Sequence, residues 1–200
     1  MEQSKKSEIT RNKILISAEK EFSQKGFAAA RVDEIAENAG VNKRMVYAHF
    51  ESKEGLYKSV LQIVYSRRAE YEKQLESMEF DSEECLRRAI TVYFDFLLNN
   101  ESFVRLILWE NLEYAKYMDE GKSVLLSGIE LLLEKGREKG IVRQDIDIKQ
   151  TALSCNTFCF SAFSNAHTLS KMLGEDLTSE ENLNKRREHI ADVLVNYIVK

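Results

Sequence analysis

The chain has 200 residues, enough for one or two domains with a proper core. Apolar residues make up 44% and charged residues 31%, too apolar for intrinsic disorder and too charged for a membrane-spanning bundle. The net charge of −4 is uneven. Residues 1–60 hold 11 Lys and Arg against 9 Asp and Glu, and the other 140 hold 18 against 24, which permits a nucleic-acid-binding N-terminal part without establishing one.

Apolar runs stop at four or five residues, so no transmembrane helix is expected. Met1 to Thr10 is polar and unlike a signal peptide. Three cysteines, an odd number, argue against a disulfide framework and fit a reducing, cytoplasmic setting. The chain has no proline and only 8 glycines. Sheet proteins of this size use proline in turns and edge strands, so the expected class is all-α.

The first helix is predicted from about Ser7 to Lys25, with Ile14, Leu15, Ala18 and Phe22 on one stripe and Gly26 as a left-handed stop. A short second helix carries Val32, Ile35, Ala36 and Ala39, with Asp33 and Glu34 in its first turn, and ends at Gly40. Asn42 can cap a third over Lys43 to Phe50, and Ser52 a fourth from Lys53 to about Leu75. Helix 5 is read at Glu84 to Asn99, helix 6 at Phe103 to about Tyr117, and helix 7 at Val124 to Lys139. Asp147 caps helix 8, about Ile148 to Leu173, and helix 9 runs from Glu180 to Val199.

Helix 8 carries no charge between Lys149 and Lys171, and a helix uncharged all round is buried all round. In a chain of this size that points to a subunit interface as well as a core, the alternative being a central core helix in a monomer. Cys155 and Cys159 stand four residues apart, and their parallel Cβ vectors make an intrahelical disulfide poor geometry, so buried inert thiols are expected.

Helices 2 and 3, joined by Ala39-Gly40-Val41-Asn42, form a helix-turn-helix candidate. Ala36 is small enough for the helices to cross, Gly40 accepts a positive φ, and Ile35, Val41 and Val46 are apolar. An ordinary helical hairpin has the same outline. The register of Ile14-Leu15, Ala18, Phe22, Gly26-Phe27, Val32, Ile35-Ala36, Ala39-Gly40-Val41, Tyr47, His49-Phe50 and Ser52-Lys53-Glu54 resembles the N-terminal signature of the TetR family of bacterial transcriptional regulators. The likeness runs without a gap over about 45 residues, from Ile14 to Glu54 with its flanks.

The resemblance implies a helix-turn-helix DNA-binding domain at 1–52 and a helical effector-binding and dimerisation domain at 53–200, about nine helices in all. It implies a homodimer through the last two helices, about 148–173 and 180–199, on a palindromic double-stranded operator. It implies an unidentified small, largely apolar effector, repression as the default sign, and no cofactor or metal. A recognition helix puts its first residues on base edges, here Asn42, Lys43, Arg44 and Met45. Arg44 or Lys43 can donate to guanine, whereas Asn42 cannot easily cap and read at once. Tyr47, His49 and Lys53 resemble the family's phosphate contacts, and Val32 lies near the backbone at the start of helix 2. Family members often have Ser or Thr where Ala30 and Arg31 stand; Arg31 is a poor cap, which leaves helix 2 frayed or frees Arg31 for a phosphate. For each cation the plain alternative is a solvated surface charge.

The aromatic set Tyr93, Phe94, Phe96, Phe103, Trp109, Tyr114, Tyr117 and Phe158, with Asn99, Asn111, Asn156 and His167 as polar groups, offers candidates for an effector pocket, although most such aromatics are core. An enzyme is not expected, for want of a phosphate-binding glycine loop, a His-Glu-x-x-His site or a serine elbow. The remaining alternative is a helical protein-binding adaptor without sequence-specific DNA binding.

Overall fold

The computed structural model describes residues 2–118 and 126–200, and it is mainly helical, in keeping with the expected all-α class. Ten helices are present among the described residues: α1 (Glu2–Ala29), α2 (Val32–Asn38), α3 (Lys43–Phe50), α4 (Lys53–Ser77), α5 (Glu83–Leu98), α6 (Glu101–Leu112), α7 (Ser127–Glu138), α8 (Ile148–Ser164), α9 (Ala166–Leu173) and α10 (Glu180–Ile198). They form two compact units, Met1–Ser66 with Arg105–Glu120, and Arg67–Val104 with Gly121–Lys200. The chain of α4 and that of α6 each run from one unit into the other.

In the first unit the predicted stripe of α1 (Ile14, Leu15, Ala18, Phe22) is buried together with Val32, Ile35, Val46, Phe50, Leu56, Tyr57 and Val60. The hydroxyl of Ser17 donates to the Ile35 carbonyl at 2.9 Å, pinning α2 to α1. Phe22, Phe27, Tyr57 and Tyr117 form a ring cluster with centroids 4.6 to 6.4 Å apart. Tyr57 donates to Glu110 Oε1 at 2.8 Å, and the Tyr117 N–H donates to Glu110 Oε2 at 3.3 Å, so both oxygens of this buried carboxylate are answered. Burial and the Glu110 partner together hold the Tyr57 phenol well above its ordinary range.

The second unit is built on the packing of α5, α8 and α10, with α7 against α8. Its core includes Leu75, Phe80, Leu86, Ile90, Phe94, Leu97, Leu132, Val142, Ile190, Leu194 and Ile198. The Lys135 ammonium donates to the Glu76 and Met78 carbonyls at 2.8 and 3.0 Å, closing the C-terminal end of α4 with a cation. Among the described residues an isolated antiparallel bridge joins Val142 to Val199.

The helix ends depart from expectation in places with identifiable causes. Gly26 has φ 69° and ψ 177°, a positive φ outside the left-handed helical region, so α1 kinks there and its last turn continues to Ala29. Helix 6 ends at Leu112 and not near Tyr117, because Tyr114 and Ala115 both adopt φ 56° and the Ala115 N–H closes a wide turn onto the Glu110 carbonyl at 2.7 Å. Val124, the expected start of helix 7, lies outside the described residues, and α7 starts at Ser127. The expected helix 8 is two helices, broken at Asn165. Ser161, Ser164 and Asn165 are weak helix formers there, and the Ser161 hydroxyl bonds the Phe158 carbonyl within its own turn. Within one chain α8 is also not buried all round. Ala152, Cys155 and Cys159 face inward, whereas Leu153, Ser154, Thr157 and Phe158 are exposed.

A Cβ built at Gly26 would lie 2.8 Å from the Trp109 ring, whereas at Gly140 (φ 73°) it would meet nothing within 4 Å. Gly26→Ala is therefore expected to destabilise the protein by roughly 2–5 kcal/mol, from the glycine-only backbone and the overlap together. Gly140→Ala should cost only about 1–2 kcal/mol, from backbone alone. Urea denaturation of the two variants beside the parent checks the contrast.

Candidate nucleic-acid interface

The α2–α3 pair is assembled by a tight turn in which the Gly40 and Val41 N–H groups donate to the Glu37 and Ala36 carbonyls, both at 3.0 Å. Gly40 has φ 67°, the conformation that its position demands. Asn42 has extended backbone, and its side chain accepts the Met45 N–H at 2.9 Å, the expected cap of α3. With Val46 and Phe50 turned into the core, α3 leaves Lys43, Arg44, Met45, Tyr47 and Ala48 exposed on its other faces. His49 is half-buried, its ring 6.1 Å from that of Phe50.

The candidate contacts divide by what already holds them. Asn42 is engaged as the cap. The Lys43 ammonium pairs with Asp33 Oδ2 at 3.0 Å, which raises its pKa and ties the start of α3 to the first turn of α2. Arg44, Met45 and Tyr47 are exposed at the start and middle of α3. Lys53 is half-buried, stacked 4.9 Å over the Phe27 ring and donating to the Ala28 carbonyl at 3.2 Å. Burial lowers its pKa. Val32 is a correction: its side chain is 6% exposed and belongs to the core, because the first turn of α2 turns it inward beside Ile35.

Arg31 is exposed, and it occupies the cap position of α2 without making a side-chain cap, as its residue type predicts. The expected fraying is countered from α1. The Glu21 carboxylate, 6% exposed, accepts the Arg31 N–H at 3.1 Å and pairs with Lys25 at 3.0 Å, and Lys25 in turn bonds Glu34. Those two carboxylates hold the Lys25 ammonium above its usual range. The sequence does carry a trace of this anchor, since Glu21 is a charge in the register of the Ile14–Ala18–Phe22 stripe.

The candidate pocket residues are divided between the two units. Trp109 stands in the first unit, donating its indole N–H to the Ser23 carbonyl at 3.1 Å; Asn111 is exposed there, and Tyr114 is almost wholly so. In the second unit Phe158 and His167 are exposed, and Phe96 and Phe103 pack on each other at 5.2 Å. Tyr93 does line a small cavity of about 20 Å³, with Arg68, Tyr71, Glu72, Cys155, Asn156 and Cys159 among its neighbours. Arg68 and Glu72 escape the sequence reading although both sit in the register of apolar Leu61 and Val64 on α4. Their ion pair, 2.6 Å long, is buried.

Comparison with known proteins gives a consistent picture. The family model "Bacterial regulatory proteins, tetR family" matches residues 14–60, and "Tetracyclin repressor-like, C-terminal domain" matches residues 83–194. The HTH-type transcriptional repressor NicS of Pseudomonas putida is 34% identical, over 86% of this chain and 84% of that protein. The HTH-type transcriptional activator FasR of Mycolicibacterium smegmatis is 38% identical over 48% of this chain and 44% of its own length. In fold, the chain matches SmeT, the repressor of the Stenotrophomonas maltophilia multidrug efflux pump SmeDEF. The TM-score is 0.72 at 20% identity, over 95% of this chain and 90% of SmeT.

Glu21→Ala is expected to lower stability by about 1–3 kcal/mol, since it strips the Arg31 N–H and Lys25 of a buried acceptor. Glu21→Gln, which keeps an oxygen for the Arg31 N–H, should lose less than half of that. Amide exchange across 31–38 beside urea denaturation checks both.

Proposed function

Because this chain belongs to the tetR family of bacterial regulatory proteins, we propose that it is a repressor that binds a palindromic operator as a homodimer and lets go when a small molecule binds. The observation that carries the reading is α3. It is a capped helix of eight residues whose inner face is locked into the core and whose opposite faces offer Arg44, Met45 and Tyr47 to solvent. Such a helix fits the major groove, where Arg44 can take guanine O6 and N7 with its forked donors while Tyr47 takes a phosphate. Lys43 reaches DNA only by leaving Asp33, and Lys53, held by Ala28 and Phe27, is a phosphate contact of fixed position. Arg31, at the cap position of α2, and His49, in the last turn of α3, are further phosphate donors.

The dimer is supported by exposed apolar side chains on the last long helices. Leu153 and Phe158 on α8 and Val193 and Tyr197 on α10 are all more than a third exposed in the single chain. Large apolar side chains left in water suit an association surface, and a two-fold dimer suits an inverted-repeat operator. The effector is assigned to the cavity beside Arg68 and Tyr93, and α4 is the continuous helix that carries both Arg68 and the Tyr57 of the DNA-binding unit. Binding regulates only if the effector prefers one of two arrangements of these helices. Among the described residues no helix is long and apolar enough to cross a membrane.

Selection from a random duplex pool should enrich an inverted repeat. On the selected site Arg44→Ala is expected to cost about 1–3 kcal/mol and to flatten the preference at one base of each half-site. Tyr47→Phe should weaken all sequences alike by about 1 kcal/mol. Affinity should fall with salt by roughly 0.9 log unit per phosphate contact. No enrichment by a folded dimer would favour the protein-binding adaptor.

A further inference from the structure

Three lysines of the first unit are held by carboxylates. Lys25 sits between Glu21 and Glu34, Lys43 pairs with Asp33 at 3.0 Å, and Lys58 pairs with Glu54 at 2.7 Å. Losing a proton would break each ion pair, and the partners hold Lys25 and Lys43 above the ordinary lysine range. Lys53 is held differently. Its Nζ donates to the Ala28 carbonyl at 3.2 Å and lies 4.9 Å over the Phe27 ring. Both partners favour a cation, but neither carries a formal charge. A neutral amine keeps two of the three N–H groups, so the bond to Ala28 survives deprotonation and a lone pair is set free. The Glu21 carboxylate acts on Lys53 through space, and that charge is already answered by the Arg31 N–H and by Lys25. Half-burial outweighs it and sets the Lys53 pKa below its ordinary value.

An ammonium does not attack acyl groups, whereas the free amine does. Below the pKa, the free-amine fraction rises about tenfold for each unit by which the pKa falls. Intrinsic nucleophilicity falls less steeply, as it does for thiols. Lys53 is only half-buried, so small solutes reach it. Its place matters as much as its charge. It is the first residue of α4, where it is assigned above to a DNA phosphate, and a group that holds one phosphate holds another. An acyl phosphate carries both the anion that suits this position and the carbonyl that an amine attacks.

We propose that Lys53 is an acylation site, taking its acyl group from a small acyl phosphate, and that acylation switches DNA binding off. The switch rests on the DNA-binding reading above; the site does not. The Lys53 ammonium first gives a proton to water. The amine lone pair then attacks the acyl carbon. The C–N bond forms as the C–O bond to phosphate breaks, phosphate leaves with that electron pair, and the excess proton on nitrogen passes to water. The resulting amide keeps an N–H for Ala28 but has no positive charge to offer DNA. Lys43 and Lys25, also in the first unit, would have to give up Asp33 or the Glu21 and Glu34 pair to react in the same way.

The test uses the full-length chain with acetyl phosphate as the donor. Peptide mass spectrometry over a time course, without DNA, should show Lys53 acetylated at least roughly threefold faster than Lys25 and Lys43. An equal or slower rate at Lys53 would overturn the site. On the selected duplex, treatment should weaken the parent protein by roughly tenfold as Lys53 is converted. Lys53→Arg keeps a cation that acetyl phosphate does not modify, with circular dichroism to verify the fold. Whatever its own starting affinity, treatment should change that affinity by less than about twofold. A Lys53→Arg protein that loses as much affinity on treatment as the parent would overturn the switch. Saturating duplex should slow acetylation at Lys53, and an unchanged rate would also overturn the switch. The rate order is measured on the free chain, so it judges the acylation site even if no duplex is selected and the DNA-binding reading fails.

Discussion

The hydrogen bond from Tyr57 to Glu110 joins residues 53 positions apart, and much of the first unit is arranged around it. A carboxylate with 1% exposure is tolerated only when its oxygens are answered, and one of the donors available is the phenol at the start of α4. Meeting that requirement brings the end of α6 into the unit that holds α1 to α3. The Phe22–Phe27–Tyr57–Tyr117 cluster then closes around it, and Trp109 falls on Gly26. The DNA-binding unit is therefore the helix-turn-helix together with a segment from the middle of the chain.

On that support α3 needs little of its own. Eight residues are too few for a stable isolated helix. What holds α3 is the Asn42 cap, two buried side chains, and the Lys43–Asp33 tie to α2. α2 is shorter still and lacks a side-chain cap, and it depends on Ser17 and Glu21 of α1. Rigidity is passed outward from α1 by Ser17 and Glu21, so the exposed Arg44, Met45 and Tyr47 can vary without disturbing the fold.

Helix spacing made most of the architecture legible. Asn42 to Phe50 carries the cap, the inward pair and the ending of α3 in nine letters, and Ser52 and Asp147 head their helices where the sequence places them. What escaped was whatever depended on a partner distant in sequence. Glu21, Arg68 and Glu72 each look like interruptions of an apolar stripe, and only the packed chain reveals what answers them. The division of the candidate pocket residues between the units was hidden for a related reason. Trp109 and Phe103, six residues apart on α6, fall in different units, which helix spacing alone does not reveal. The break at Asn165 was missed because an absence of charge says nothing about whether a helix is continuous.

The tryptophan on Gly26 is the only one in the chain. Its indole stacks on the kink of α1 and bonds the Ser23 carbonyl, so its emission reports the surroundings of the DNA-binding unit and nothing else in the polypeptide. The second unit, with its tyrosines and phenylalanines, is silent in that spectral window. The protein thus carries a built-in optical label on one of its two parts, at a backbone position where only glycine fits beneath the ring.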